Sequence, residues 1–380
     1  MSETMLLSPM TIRGVTLRNR VVISPMCQYS ATDGMAEDFH LVHLGQFALG
    51  GAGMIFSEAI AVHPNGRITH GDIGLWEDRQ VAPLRRIADF LRRHGAVPAI
   101  QISHAGRKAS MQRPWYGNGP LTADDLARGD HPWPVVAPSP LPMDAGWLMP
   151  TALSVDEIGD IRECFRRAAL RALEAGFEVA EVHGAHGYLL HQFLSPLSNR
   201  RNDGYGGDLA GRMRFPLEVA ETVRAAWPDD KPVFFRVSAV DGVEGGWTLE
   251  ESVTLARELR ARGIDVMDCS SGGLTGPATA ARLPRGPGFQ VPFAARIRQD
   301  AGIATMAVGL ITEAEQAEEI LQSGAADLIA IGREALFDPH WPLHAERTLG
   351  HGGNFASWPE QYGWWLDRRA RTMPGKTPAR

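Results

Sequence analysis

Gly176-Phe177-Glu178-Val179-Ala180-Glu181-Val182-His183-Gly184-Ala185-His186-Gly187-Tyr188 decides how this chain is read. The apolar run Phe177–His183 predicts a buried strand, and His183, His186 and Tyr188 then fall on the loop where that strand ends. Ahead of it, Val155–Ala175 has helical periodicity, opened by a capping box of Ser154 and Glu157 and stopped at Gly176. Helix, glycine stop, strand and polar loop, in that order, form one unit of an α/β protein.

The unit recurs on both sides. Short apolar runs at Arg20–Ser24, Met54–Ile60, Val97–Ser103, Val233–Ser238, Asp265–Ser270, Thr305–Val308 and Asp327–Ile331 predict seven further strands. Helical patterns fill most gaps: Leu209–Trp227, Thr248–Arg262, Pro292–Ala301 and Thr312–Ser323, with Thr248 or Thr312 at the cap and Gly263 or Gly324 at the end. Eight strands alternating with helices fit a (β/α)8 TIM barrel. An open doubly wound sheet fits less well, since the first-turn G-x-G-x-x-G is missing. Thr11–Leu17 alternates ahead of the first strand and predicts a hairpin closing the barrel bottom. Ala105–Pro150, rich in Pro, Gly and Trp, is too long for a plain connection and predicts a cover over the catalytic face. Residues 1–380 are expected to form one domain, with 105–150 as cover loop and 355–380 as a tail.

Composition narrows the function. A net charge of −6 with no basic stripe argues against a nucleic-acid surface. Cys27, Cys164 and Cys269 are few, odd in number and scattered, so no disulfide framework or cysteine metal cluster is implied. The N-terminus lacks a basic then apolar leader, and no run of about 18 apolar residues occurs. A cytoplasmic, membrane-free protein is expected.

On a barrel, every strand's C-terminal end opens into one shared site. Two imidazoles and a phenol gathered there outline a site that polarises a carbonyl and supplies a proton. His183 and His186 could instead bind a metal, or belong to an inert loop, though a zinc site usually wants a third ligand and a general base. Gly309 and Gly332, after strands seven and eight, occupy this fold's usual phosphate-binding place, with Arg333 as a charged fork; glycine there is also ordinary turn chemistry.

Five motifs then carry a resemblance: Ser24-Pro25-Met26-Cys27-Gln28-Tyr29, His104-Ala105-Gly106-Arg107-Lys108, His183 to Leu190, Gln192-Phe193-Leu194-Ser195-Pro196, and Asn199 to Gly207. Together, and in this order, the chain resembles the Old Yellow Enzyme family of FMN-dependent ene-reductases, in its bacterial branch called thermophilic-like or xenobiotic-reductase-like. The resemblance implies FMN on the strand ends, its phosphate near Gly309, Gly332 and Arg333, and its ring against Ser24, Pro25, Met26, Cys27, Ala59 and Gln101. Arg236 resembles the arginine beside ring N1 and the C2 carbonyl; read without the family, it would be an ion pair with Glu181 or Asp268.

By the same resemblance, NADPH or NADH delivers hydride to FMN, and flavin N5 passes it to the β-carbon of an α,β-unsaturated carbonyl or nitro compound. His183 and His186 would hold the substrate oxygen, Tyr29 would add a third hydrogen bond, and Tyr188 would protonate the α-carbon. Cys27, the branch's marker, would tune the flavin's potential and the substrate fit. Arg285 stands where some branch members carry a tryptophan lining the substrate pocket. The tail around Trp364 and Trp365 resembles one that reaches a neighbouring subunit's active site, which implies a homodimer or homotetramer; the two tryptophans could instead pack on their own barrel. Other readings are an FMN-dependent 2-hydroxy-acid oxidase, a dienoyl-CoA reductase relative, which would need four clustered cysteines, a metal-dependent barrel hydrolase and a flavin-binding protein without catalysis.

Overall fold

The computed structural model describes residues 4–275, 283–351 and 353–373. The chain enters through an antiparallel hairpin, β1 (Met10–Ile12) and β2 (Val15–Leu17). Eight parallel strands then close a barrel in chain order: β3 (Val21–Ile23), β4 (Met54–Ala61), β5 (Val97–Ser103), β8 (Val179–Gly184), β9 (Val233–Ser238), β10 (Val266–Ser270), β11 (Ala304–Ala307) and β12 (Leu328–Ile331). The expected (β/α)8 TIM barrel, with its hairpin and its long insertion after the third barrel strand, is the fold of this chain.

Side-chain alternation along these strands sorts the barrel interior into two levels. Ala99, Val179, Phe234 and Val266 belong to an apolar cluster that also takes in Ile12, Val15 and Leu17 of the hairpin. The hairpin therefore plugs the N-terminal end of the barrel. Two residues further along the same strands stand Gln101, Glu181, Arg236 and Asp268. A period of two keeps them on the same inward side, one level nearer the open end.

The outer faces of the strands pack against α1 (Asp38–Leu49), α2 (Val81–Arg93), α4 (Val155–Glu174), α6 (Leu209–Ala226), α7 (Leu249–Ala261), α8 (Val291–Ala301) and α9 (Ala314–Gln322). The helix ends follow local chemistry. Ser154 and Thr248 cap α4 and α7 in reciprocal boxes with Glu157 and Glu251. Gly176, Gly263 and Gly324 follow their helices with φ of +88°, +83° and +70°. Thr312 does not cap α9. Glu313 holds that position, and the Thr312 carbonyl accepts from Trp341 Nε1 at 2.7 Å.

The insertion is ordered rather than a bare loop. It carries α3 (Ala123–Ala127) and the strand β6 (Val136–Ala137), which pairs in parallel with β7 (Thr151–Ala152) just beyond it. Ala109, Met111 and Val135 of this segment pack with Tyr188. After β8 comes α5 (Leu189–Leu194), and after β12 come α10 (Arg333–Phe337), α11 (Trp341–Thr348) and α12 (Glu360–Thr372). Among the described residues, no helix is long and apolar enough to cross a membrane.

Candidate functional site

The strand ends open onto a cavity of about 430 Å³, lined by Ser24, Pro25 and Met26 after β3 and by Gly309, Gly332 and Arg333 after β11 and β12. Arg236 and His186 also line it, and exposed Arg285 stands at its rim. Thus seven of the expected cofactor residues line one space. Cys27, Ala59 and Gln101 lie behind that lining: the Cys27 thiol hydrogen-bonds the Ala59 backbone, and Ala59 pairs with Gln101 across β4 and β5.

The turn bearing His186 is held by side chains at every backbone polar group. The His186 N–H donates to Ser238 Oγ at 2.9 Å, and its carbonyl accepts from Lys108 Nζ at 2.7 Å. The Gly187 N–H donates to His191 Nδ1 at 2.8 Å, and its carbonyl accepts from Gln192 Nε2 at 2.7 Å. His191 Nδ1 accepts, so Nε2 carries the ring proton and donates it to Asp241 Oδ1 at 2.8 Å. These bonds over-determine His186, whose φ of +58° is costly for a non-glycine residue. At Gly187, φ is +73°, and a Cβ would lie 2.3 Å from the Gly273 carbonyl, so glycine is required there.

His183 links this turn to the neighbouring aromatic cluster. Its ring centroid lies 5.1 Å from that of His186 and 5.0 Å from that of Tyr188, both edge-on. The Ala185 N–H donates to His183 Nδ1 at 3.2 Å, so His183 Nε2 carries the proton and faces His186 Nδ1 at 3.4 Å. His186 Nε2 then donates to Ser270 Oγ at 2.6 Å. The two imidazoles are thus relayed to each other and to Ser270, and a ligand oxygen entering here would compete with Ser270 and with the inter-ring contact. Tyr188 packs with Cys27 and Tyr29.

Electrostatics favour neutral donors beside positive charge. Burial, then the Arg236 charge, holds both His183 and His186 well below the usual imidazole range. Burial pushes the Tyr188 and Tyr29 phenols and the Cys27 thiol upward, so all three keep their protons at neutral pH. Lys108 is buried and lowered to about 7 by desolvation and then by Arg107. Its ammonium is solvated by the carbonyls of His186 and Gly273, the latter at 2.8 Å, and lies 5.3 Å from the Tyr188 ring centroid. Arg236 Nε sits 3.1 Å from Asp268 Oδ2, so the ion pair weighed from the sequence exists, and Arg236 lines the cavity as well. Of these groups Arg236 and His186 line the cavity, and a permanent guanidinium beside a neutral imidazole donor can stabilise an oxyanion or an electron-rich ring; His183, Tyr188, Tyr29 and Cys27 stand outside its lining.

The cavity also fits the FMN implied by the sequence. Ser24 Oγ is buried on its wall without a hydrogen-bond partner, as a donor awaiting a ligand acceptor would be. Gly309, buried at φ +126°, and half-buried Gly332 line the cavity without side chains, and exposed Arg333 adds charge beside them. Other expected residues are not brought together. Trp364 and Trp365 are 50% and 67% exposed on α12 and do not line the cavity of their own chain; residues 374–380 of the tail lie outside the described residues. Sequence reasoning passed over His191, Asp241, Gln192 and Ser238 as parts of the site. For His191 and Gln192, their place within four residues of Tyr188 was the available signal.

The model of the NADH:flavin oxidoreductase / NADH oxidase family matches residues 5–351. An NADPH dehydrogenase of Listeria innocua is 46% identical over 347 residues, 91% of this chain and 95% of that protein. An NADPH dehydrogenase of Halalkalibacterium halodurans is 43% identical over 362 residues, 95% of this chain and 98% of that one. Among solved structures, morphinone reductase in complex with tetrahydroNAD superposes with a TM-score of 0.72 at 26% identity, covering 94% of this chain and 96% of that one.

Proposed function

The chain belongs to the NADH:flavin oxidoreductase / NADH oxidase family, the Old Yellow Enzyme family, and is an FMN-dependent NAD(P)H:flavin oxidoreductase; from that premise we propose that it is an ene-reductase, saturating the double bond of an α,β-unsaturated carbonyl or nitro compound. Bound FMN supplies the two-electron carrier between nicotinamide and alkene. Ser24, Pro25 and Met26 would hold its ring, and Gly309, Gly332 and Arg333 its phosphate.

The observation that carries the reading is the edge-on meeting of His183, His186 and Tyr188 beside the cavity. His183 Nε2–H and His186 Nε2–H are preorganised donors for the substrate oxygen, and they polarise the conjugated alkene by drawing charge toward it. Tyr188, kept protonated by burial, holds the phenolic proton for the α-carbon, and Tyr29 offers a further donor. Cys27 remains a thiol and tunes the site rather than attacking. The segment 105–150, packed on Tyr188 through Met111 and Val135, excludes water. Arg285 at the rim selects substrate polarity, and Trp364 and Trp365 on α12 belong to a homo-oligomer contact that completes a neighbouring pocket.

The test is turnover of purified enzyme with NADPH and, separately, NADH against cyclohexenone and a nitroalkene. Saturated product stoichiometric with nicotinamide oxidised is expected; oxidation of nicotinamide by dioxygen alone, with both alkenes untouched, removes the ene-reductase reading and leaves the flavin oxidoreductase. Truncation before Gln361 should weaken association and raise KM for bulky substrates. A truncated protein with unchanged association state would return the tail to packing.

A further inference from the structure

The upper level of the barrel interior holds two carboxylates against one cation. Glu181 on β8 and Asp268 on β10 are both fully buried, with Arg236 on β9 between their strands and Gln101 on β5 beyond Glu181. Gln101 Nε2 donates to Glu181 Oε1 at 2.7 Å, and Arg236 Nε lies 3.1 Å from Asp268 Oδ2. Glu181 Oε2, both Asp268 carboxylate oxygens and Arg236 Nε are buried with no hydrogen-bond partner, so the Arg236–Asp268 contact is an ion pair without hydrogen-bond geometry. With all three groups ionised, this level would carry one net negative charge above the apolar plug. A buried carboxylate without a compensating cation takes up a proton instead.

The two acids differ in which can keep its charge. Asp268 has the direct contact with the guanidinium. Glu181 has only an amide donor, which serves a neutral acid as well as an anion. We propose that Glu181 is a neutral carboxylic acid in the folded enzyme and that Asp268 alone balances Arg236. The groups facing Glu181 are Gln101 from β5, Arg236 from β9 and Asp268 from β10, with His183 two residues along its own strand held neutral. Burial, then the Asp268 charge, pushes the Glu181 carboxyl well above the carboxylate range, against the opposing Arg236 charge and the Gln101 hydrogen bond; burial also raises Asp268, with Arg236 opposing and no like charge adding to the rise.

The consequence rests on the proposed place of Arg236 beside the flavin ring. A proton on Glu181 makes this level electrically neutral. It would spare an electron-rich reduced ring held by Arg236 a second nearby anion, so Glu181 is a positioning residue that sets the charge acting through Arg236.

Glu181→Gln copies the neutral acid in shape and charge, which makes the test asymmetric. Infrared difference spectra of wild type against Glu181→Gln, on both holoprotein and FMN-stripped protein, should show loss of one protonated-carboxyl C=O band. The midpoint potential of Glu181→Gln should stay close to wild type. Asp268→Asn, which removes the real anion, should shift the reduction equilibrium toward reduced flavin by about tenfold, or roughly 30 mV for a two-electron couple. Absence of the protonated band, or a rise in potential for Glu181→Gln as large as that for Asp268→Asn, overturns the proposal. If the band is present and lost as expected while Asp268→Asn leaves the potential unmoved, the protonation assignment stands and the placement of Arg236 at the flavin fails. Should Asp268→Asn not fold, the infrared comparison decides alone.

Discussion

The two levels of the barrel interior are built from the same strands, two residues apart, and do opposite work. The lower level, with Phe234 and Val179 closed by Ile12, Val15 and Leu17, is dry and apolar. The upper level, with Arg236, Glu181, Asp268 and Gln101, is equally buried but polar, and its buried orphan atoms include Glu181 Oε2 and Asp268 Oδ1. Close packing holds the first together, and charge balance holds the second. A barrel strand can therefore carry stability at its start and chemistry at its end without any change in backbone.

That division is tested most severely at the top. Tyr188→Phe removes one hydroxyl and keeps the ring that packs on Met111 and Val135. Loss of a positioned acid costs about 10²–10⁴-fold, so stopped-flow reoxidation of reduced enzyme by cyclohexenone should slow within that range while reduction by NADPH stays nearly intact. The loss should be smaller for nitroalkenes, whose nitronate can be protonated in water. Equal slowing of both half-reactions would make Tyr188 a cofactor or structural residue.

At the bottom, the expected cost appears in stability instead. Phe234 is fully buried, with its ring 6.0 Å from that of Phe56, so Phe234→Ala should lower unfolding free energy by about 3–5 kcal/mol through lost burial and a cavity. Turnover per bound flavin below the new melting point should be unchanged. A variant of wild-type stability with poor turnover would erase the separation between the levels.

The lower level was legible in the sequence because its signal is local. The runs Val97–Ser103 and Val233–Ser238 coincide with β5 and β9, and the alternation at Thr11–Leu17 marks the hairpin. The upper level was legible as a gathering of residues after strand ends, and the motifs supplied their implied roles. What stayed hidden depends on contacts far apart in sequence. His191 orients Gly187 only because Asp241, 50 residues away, receives its other nitrogen, and Lys108 reaches a carbonyl 165 residues distant. The short strands β6 and β7 escaped for the same reason, since two residues carry no period and exist only as a pair.

The glycine and arginine wall of the cavity should respond less than either level. Arg333 is exposed, so water screens part of its charge, and Arg333→Ala should weaken FMN binding by about tenfold. Flavin released on dilution reports this directly. An unchanged dissociation constant would leave the phosphate to the backbone of Gly309 and Gly332.

The smallest effect is expected at Cys27, which lies between the lining and the aromatic cluster. Its thiol bonds the Ala59 backbone and Tyr29, and burial, reinforced by Glu58 and Asp72, keeps it protonated. Cys27→Ser retains a donor of the same valence but shortens the bond to it and strengthens the hydrogen bond it makes. A difference between two neutral hydrogen bonds is worth about 0.5–1.5 kcal/mol, so the flavin reduction equilibrium and the rates of both half-reactions should move by roughly two- to tenfold, with neither half-reaction abolished. Because the thiol is held as an acid and not as a thiolate, a covalent role has no nucleophile to draw on. Complete loss of alkene reduction with FMN still bound in Cys27→Ser would contradict this and move the chemistry from the His183–Tyr188 side of the site to the Cys27 side.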